Sequence, residues 1–192
     1  MGKQIFYRGA LTSCNYACSY CPFSKRTMTK AQRSKDETAL WKFVEARKLE
    51  TEKHAVQIVP YGEALIHEYY WRALAELSRI EAEEYTGCQT NLSFSVENML
   101  KVYEEHQGRK EKLRLWCTFH PSMTSVEAFV EQCHKLQLAG ISFWLEWWEI
   151  QRKFPFFWNF GKNFQLPFIS GSTRWMVEEN HIPRRKWKCS KA

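Results

Sequence analysis

Three cysteines lie close together near the start of the chain, in the segment SCNYACSYCPF of residues 13–23. Cys14 and Cys18 are separated by three residues, and Cys18 and Cys21 by two. A structural zinc ion takes four nitrogen or sulfur ligands, so this loop is one ligand short of a closed zinc site. A cubane iron–sulfur cluster accepts three thiolates when another group holds its fourth iron. The residues alone leave two possibilities open: a cluster whose fourth iron is held by another group, or a zinc or buried-thiol loop.

The composition of the chain indicates the class of protein and the cellular compartment to expect. The 192 residues are 44% hydrophobic and 26% charged, which is typical of one folded domain with a real core. We find neither a signal-peptide pattern nor an apolar run long enough to span a membrane. A disulfide among the three cysteines would leave one unpaired and would require an oxidising compartment. We therefore expect a cytoplasmic protein in a reducing environment, without a membrane partner.

The net charge of +7 is unevenly distributed. Residues 1–143 hold 19 basic and 17 acidic side chains, whereas residues 144–192 hold 9 and 4. A basic segment with aromatic residues can bind phosphates and stack on bases. Because most of the excess charge lies in the last quarter of the chain, we favour a solvated charged tail and expect no nucleic-acid partner.

The sequence before residue 144 alternates short apolar runs with amphipathic stretches. Strands are predicted at residues 4–11, 54–64, 85–93, 112–120 and 141–143, and helices at 34–50, 68–84, 96–108 and 125–140. Ser34 and Glu37 have the spacing of a capping box at the start of the first helix, and Gly140 ends the last. This alternation predicts an α/β fold, in which right-handed crossovers connect the strands of a parallel sheet.

Polar turns follow each of the first four predicted strands. They are the cysteine loop, Tyr61-Gly62-Glu63, Gln89-Thr90-Asn91, and the end of the fourth strand, where Thr118 and His120 share a face ahead of Pro121. Ligands of parallel α/β folds bind at the carboxyl ends of the strands. Four motifs at one edge of a sheet therefore predict a single site.

Each turn also has an ordinary explanation. A Gly-Glu pair is common in turns, and Thr90-Asn91 is equally well explained as a polar strand end. His120 could contact a ligand, donate a proton or simply cap its strand, and we favour the last slightly. The cysteines outside the loop lie in apolar patterns, which predicts inert core thiols at Cys88, Cys117 and Cys133.

Taken together, the motifs resemble the radical S-adenosylmethionine (radical SAM) superfamily. The C-x3-C-x2-C spacing after a first strand, with aromatic Tyr20 just before the third cysteine, is similar to the cluster loop of that family. The YGE turn is similar to its GGE motif, with Tyr61 in place of the first glycine. The segments YRGALTSCNYACSYCPFSKR, PYGEALIHEYYWRAL, QTNLS and LWCTFHPS look like an uncharacterised bacterial subgroup, over about residues 5–143.

The resemblance implies a partial (β/α) barrel that carries a [4Fe-4S] cluster on Cys14, Cys18 and Cys21. S-adenosylmethionine (SAM) would chelate the fourth iron, and an electron from a donor such as a flavodoxin or ferredoxin would cleave it to a 5′-deoxyadenosyl radical that acts on an unknown substrate. The residues that the resemblance implies as SAM contacts are Tyr20, Gly62, Glu63, Thr90, Asn91, Thr118 and His120. The alternative is a non-catalytic iron–sulfur or metal-binding module.

The sequence changes character at residue 144. Six of the nine tryptophans lie after Phe143, and the segment WLEWWEIQRKFPFFWNFGKNF has neither a helical nor a strand period. Tryptophan has a single codon, so the bases at each Trp are known. If every codon boundary is moved two bases downstream, Trp147-Trp148-Glu149 is read as Val-Gly and Trp175-Met176-Val177 as Asp-Gly, whichever codons encode the other residues. The shifted frame can also encode apolar strands around these pairs.

From this pattern we infer that a frameshift near residue 143 replaced the native second half of the chain. Residues 1–143 would then be the N-terminal part of a radical SAM barrel, truncated after four to five strands, and residues 144–192 an atypical basic, Trp-rich tail. Loss of the later strands would remove the cover of the adenosyl group, so activity is expected to be weak or absent.

Overall fold

The computed structural model describes residues 3–23 and 27–146. Its strands are β1 (Lys3–Tyr7), β2 (His54–Ile58), β3 (Glu83–Thr90), β4 (Leu113–Thr118) and β5 (Ser142–Glu146). Its helices are α1 (Lys30–Lys48), α2 (Glu68–Arg79), α3 (Val96–Glu105) and α4 (Val126–Leu138), with short 3-10 turns at Ala64–Ile66 and Lys110–Lys112. Residues 147–192, which make up most of the tail predicted to be out of frame, lie outside the described residues.

All five strands are parallel, and their order in the sheet, β1-β2-β3-β4-β5, follows the chain. The strand ends are in register, because Tyr7 pairs with Ile58 and Ile58 pairs with Cys88. One helix separates each strand from the next. The predicted α/β fold with a parallel sheet is therefore confirmed, and the loops after β1 to β4 leave the sheet at the same edge.

The first helix begins earlier than the sequence predicted. Its N-cap is Thr29, whose hydroxyl accepts from the backbone N–H of Gln32, while the Gln32 side chain accepts from the backbone N–H of Thr29. The predicted cap, Ser34 with Glu37, lies inside the helix instead. Both pairs have the spacing of a capping box, and the folded chain uses the earlier one.

The fifth strand, predicted to open at residues 141–143, continues through Trp144 and Leu145 to Glu146, although the sequence from Trp144 onward shows no strand period. Other elements are shorter than predicted; β1, for example, ends at Tyr7, whose carbonyl accepts from the backbone N–H of Val59 just past the end of β2. Gly140 follows α4 with a φ of 72°, as expected of a glycine that ends a helix.

The core lies between the sheet and its helices. Along β4, Leu113, Leu115 and Cys117 are fully buried, and the alternating residues on the opposite face are partly exposed. Cys88 and Cys133 are also buried, which confirms the three predicted core thiols. Burial raises the pKa of Cys133 to about 12 and those of Cys88 and Cys117 well above the ordinary value, so all three stay protonated and unreactive.

A buried ion pair stabilises the opposite edge of the sheet. Arg47 Nε, near the end of α1, donates to Glu83 Oε1 at the start of β3 over 2.7 Å, and both side chains are buried. Arg47 also contacts His54 at the start of β2, at 3.3 Å. These contacts fix the amino ends of the strands. None of the helices in the described ranges is long and apolar enough to cross a membrane.

Candidate functional site

The cysteine loop crosses the carboxyl edge of the sheet between β1 and α1. Cys14 and Cys21 are partly exposed and Cys18 is buried, and none of the three is in a disulfide. A turn closed by the Cys21 N–H donating to the Cys18 carbonyl brings the second and third cysteines close in the backbone. Burial is the main cause that raises the pKa of the Cys14 thiol.

The YGE turn after β2 packs directly against this loop. The Glu63 N–H donates to the Ser13 carbonyl over 3.0 Å. A Cβ on Gly62 would overlap that same carbonyl, so only glycine allows the two backbones to approach so closely. Tyr61 packs against Phe23 with ring centroids 4.5 Å apart, and the Arg8 guanidinium lies over its ring. The turn therefore supports the residue that precedes Cys14.

Glu63 is buried, and protein donors satisfy both of its carboxylate oxygens. Oε1 accepts from the Leu65 N–H and the Thr90 hydroxyl, and Oε2 accepts from the Asn91 N–H over 2.6 Å. Burial raises the pKa of Glu63 to about 7, although the three hydrogen bonds act in the opposite direction. This carboxyl group therefore joins the turn after β2 to the end of β3.

Asn91 extends the connection from β3 to the first cysteine. Its side-chain Nδ2 lies 3.7 Å from Cys14 Sγ and donates to Asn15 Oδ1 over 3.2 Å. Asn15 in turn donates to the Ser93 hydroxyl. Thr90, by contrast, is buried and directed at Glu63. The amino end of the cysteine loop is thus held by the loop after β3.

The other end of the cysteine loop meets the loop after β4 at His120. The ring of Tyr20 stacks on the imidazole, and its hydroxyl lies 2.7 Å from His120 Nδ1. The same nitrogen is 3.6 Å from Cys18 Sγ, and the Tyr16 ring meets the imidazole edge-on. Burial lowers the pKa of His120, so the imidazole is neutral at neutral pH.

The structure therefore brings most of the predicted site residues together, in two groups. One group surrounds Cys14 and consists of Gly62, Glu63, Thr90 and Asn91, and the other surrounds Cys18 and consists of Tyr20 and His120. Thr118 ends β4 on the face opposite the buried Cys117 and pairs in register with Glu146.

Sequence reasoning missed two residues that belong to the first group, Asn15 and Ser93. Asn15 directly follows the first cysteine, and a polar side chain beside a candidate ligand is a usable signal. Ser93 lies two residues after Asn91, whose side chain accepts from the Ser93 N–H, and this is the spacing of an Asx turn. Their mutual contact spans 78 residues of chain, so no local pattern reports it.

The donor set fits a cluster in type and number, since three cysteines lie on one loop at the ligand-binding edge. Across residues 3–23 and 27–146, however, no group of three or more His, Cys, Asp or Glu side chains is placed to hold a metal ion. Next to Cys14, the buried Ser13 hydroxyl has no hydrogen-bond partner among these residues. Cluster binding would thus require the thiols to converge.

Comparison of the chain with family models, with curated proteins and with solved structures finds no match. The site is therefore interpreted from its own residues and geometry.

Proposed function

We propose that the chain is a radical SAM protein, in which Cys14, Cys18 and Cys21 hold a [4Fe-4S] cluster. The observation that carries the proposal is the meeting of the cysteine loop with the Gly62-Glu63 turn, through the Glu63 N–H and the Ser13 carbonyl, at the carboxyl edge of a parallel sheet. When bound, the cluster and SAM would supply one-electron cleavage of the sulfonium bond to a 5′-deoxyadenosyl radical.

The partial barrel is part of this proposal. Parallel strands that follow one another in chain order, each separated from the next by a helix, are what the first strands of a (β/α) barrel present. The sheet face that the helices leave uncovered would then line the barrel interior. Its groove is lined by Gln4, Phe6, Gln57, Tyr85, Arg114, Trp116 and Trp144.

The chain's own residues would position the cofactors. Gly62 allows close backbone approach at the first cysteine, and Glu63 fixes the turn that contains it. Asn91 presents an amide N–H to Cys14, a contact that stabilises a thiolate. An electron donor such as a flavodoxin or ferredoxin would supply the electron, and the radical would act on a substrate bound nearby.

Anaerobic reconstitution with iron and sulfide tests the cluster. We expect about four irons per chain, as in a cubane cluster, and a broad visible absorbance. Replacing Cys14, Cys18 or Cys21 by Ala should abolish both signals, whereas the matched control Cys133→Ala removes a buried core thiol and should keep them. One bound zinc and no iron would refute the proposal.

A specific observation favours a second candidate, a non-catalytic metal-binding module. Both oxygens of Glu63 and the hydroxyl of Thr90 are hydrogen bonded within the protein, so neither residue offers these groups to SAM in the described arrangement. Reducing the reconstituted protein with SAM present separates the candidates. Formation of 5′-deoxyadenosine supports the enzyme, and a chain that keeps its iron without forming this product supports the module.

A further inference from the structure

The sheet face opposite the helices carries a groove with a volume of about 390 Å³, which is within the range of small-molecule sites. Phe6, Gln57, Gly87 and Arg114 pair in register across β1, β2, β3 and β4. Residues that pair in register point to the same face of a sheet, so these four form one row across the groove.

Gln57 lies at the floor of the groove, and its side-chain amide has no hydrogen-bond partner among the described residues. The residue is 1% exposed, and both Oε1 and Nε2 are buried. A Cβ on Gly87 would lie 2.4 Å from Gln57 Oε1, so the amide occupies space that a side chain at position 87 would fill. A buried amide without partners destabilises the fold, and a group that both donates and accepts would remove this cost.

The groove has the features needed to bind a flat ring with a polar edge. The Gln57 amide presents a donor beside an acceptor, and its complement is an N–H next to a C=O, as on the lactam edge of a nucleobase. Trp116 and Trp144 pair in register and line the same groove, with ring centroids 6.4 Å apart, and such rings bind the faces of bases. Arg114 brings a positive charge to the groove, which favours carbonyl oxygens over a cationic ligand.

We propose that this groove binds a planar lactam of the nucleobase type, with its adjacent N–H and C=O groups bonded to the Gln57 amide and its faces against the aromatic rings. Contact with the amide requires side chains at the rim to move. The Phe6 ring, on the strand next to Gln57, is 58% exposed, and exposed side chains change rotamer rapidly. The inference needs no bound cluster, and only the further step that this ligand is the radical's substrate would rest on the proposed function.

Isothermal titration calorimetry of the full chain with inosine tests the site. N1-methylinosine is the matched ligand, because a methyl group replaces the lactam hydrogen while the ring and the sugar stay the same. We expect the wild type to bind inosine about tenfold more tightly than N1-methylinosine. Gln57→Leu should abolish this difference, whereas Trp116→Leu should weaken the binding of both nucleosides.

Thermal unfolding separates an amide that binds a ligand from one that stabilises the fold. Because Gln57 lacks partners among the described residues, Gln57→Leu should keep or raise the Tm while it weakens inosine binding. Gln132→Leu is the matched control. Gln132 Oε1 is also buried without a partner among those residues, but it lies on α4, at the helical face of the sheet, so inosine binding should stay as in the wild type.

Equal affinity of the wild type for the two nucleosides, or no binding of either, would overturn the inference without relying on any variant to fold. Wild-type affinity for inosine in Gln57→Leu would also overturn it. A dimer that Trp116→Leu dissociates, in a chain that binds no nucleoside, would instead assign the face to a second copy of the chain. A chain that binds inosine as expected but takes up no iron would support this inference and refute the proposed function.

Discussion

Substitution of Glu63 by Gln tests the contact between the YGE turn after β2 and the loop after β3. The Gln carbonyl can still accept from the Leu65 N–H and the Thr90 hydroxyl. Its amide N–H would face the Asn91 N–H, which now donates to Glu63 Oε2. One buried donor is then left without an acceptor, and this costs about 1–3 kcal/mol at a pH where Glu63 is protonated.

The cost of this substitution should depend on pH. Burial raises the pKa of Glu63 from 4.5 to about 7, so the folded state binds this proton more tightly than the unfolded chain. The resulting stabilisation is complete below pH 4.5 and is lost as the pH rises through about 7. At about 1.4 kcal/mol per pKa unit, the loss is about 3 kcal/mol. Because Gln does not titrate, the Glu63→Gln variant should approach or exceed the wild type in stability near pH 8.

Urea denaturation at about pH 5 and about pH 8 measures the effect, and the difference between wild type and variant cancels the other titrating groups. Glu84→Gln, at the exposed position next to the buried start of β3, is the control for the loss of one carboxylate on the surface. Parallel stability curves for wild type and Glu63→Gln would refute the reasoning, because Glu63 would then not titrate with a raised pKa.

Two further substitutions test the fold around the site. Gly62→Ala should destabilise the chain by about 1–3 kcal/mol, because the new methyl group displaces the Ser13 carbonyl, and thermal unfolding should detect it. Gly140→Asn meets no atom within 4 Å of the new Cβ, but Gly140 has a φ of 72°, which strains a side chain there; because Asn tolerates this left-handed conformation better than most residues, the change should cost less than Gly62→Ala. Arg47→Ala should cost about 3–5 kcal/mol in chemical denaturation by leaving Glu83 charged and buried, whereas the double variant Arg47→Met/Glu83→Leu should recover most of this loss. Equal destabilisation by the single and double changes would show that packing, not charge, dominates there.

The sequence predicted the parallel sheet and the common edge of the four loops, because both follow from the alternation of elements. It did not predict the start of α1, since Thr29 with Gln32 and Ser34 with Glu37 have the same capping spacing and only the folded chain decides between them. The sequence predicted that Glu63 lies in a turn. It did not predict the hydrogen bond to Asn91, because Asn91 lies 28 residues away and no local pattern connects the two residues.

The contacts of His120 could not be predicted for the same reason. Its partners in the cysteine loop lie about a hundred residues earlier, and the sequence alone favoured a strand cap slightly. The roles of the predicted SAM contacts and of the three cluster cysteines stay predictions, and the reconstitution experiment tests those of the cysteines.

The agreement between strand order and chain order has a consequence for synthesis on the ribosome. Each strand pairs with the strand made just before it, so every βα unit emerges next to a partner that already exists. Assembly can therefore proceed in the direction of translation, without waiting for a distant strand. In such a sheet, a coding change affects the pairing of strands downstream of it and leaves the earlier pairs as they were. The cysteine loop and the Gly62-Glu63 turn, which follow the first two strands, are the parts of the site that form first.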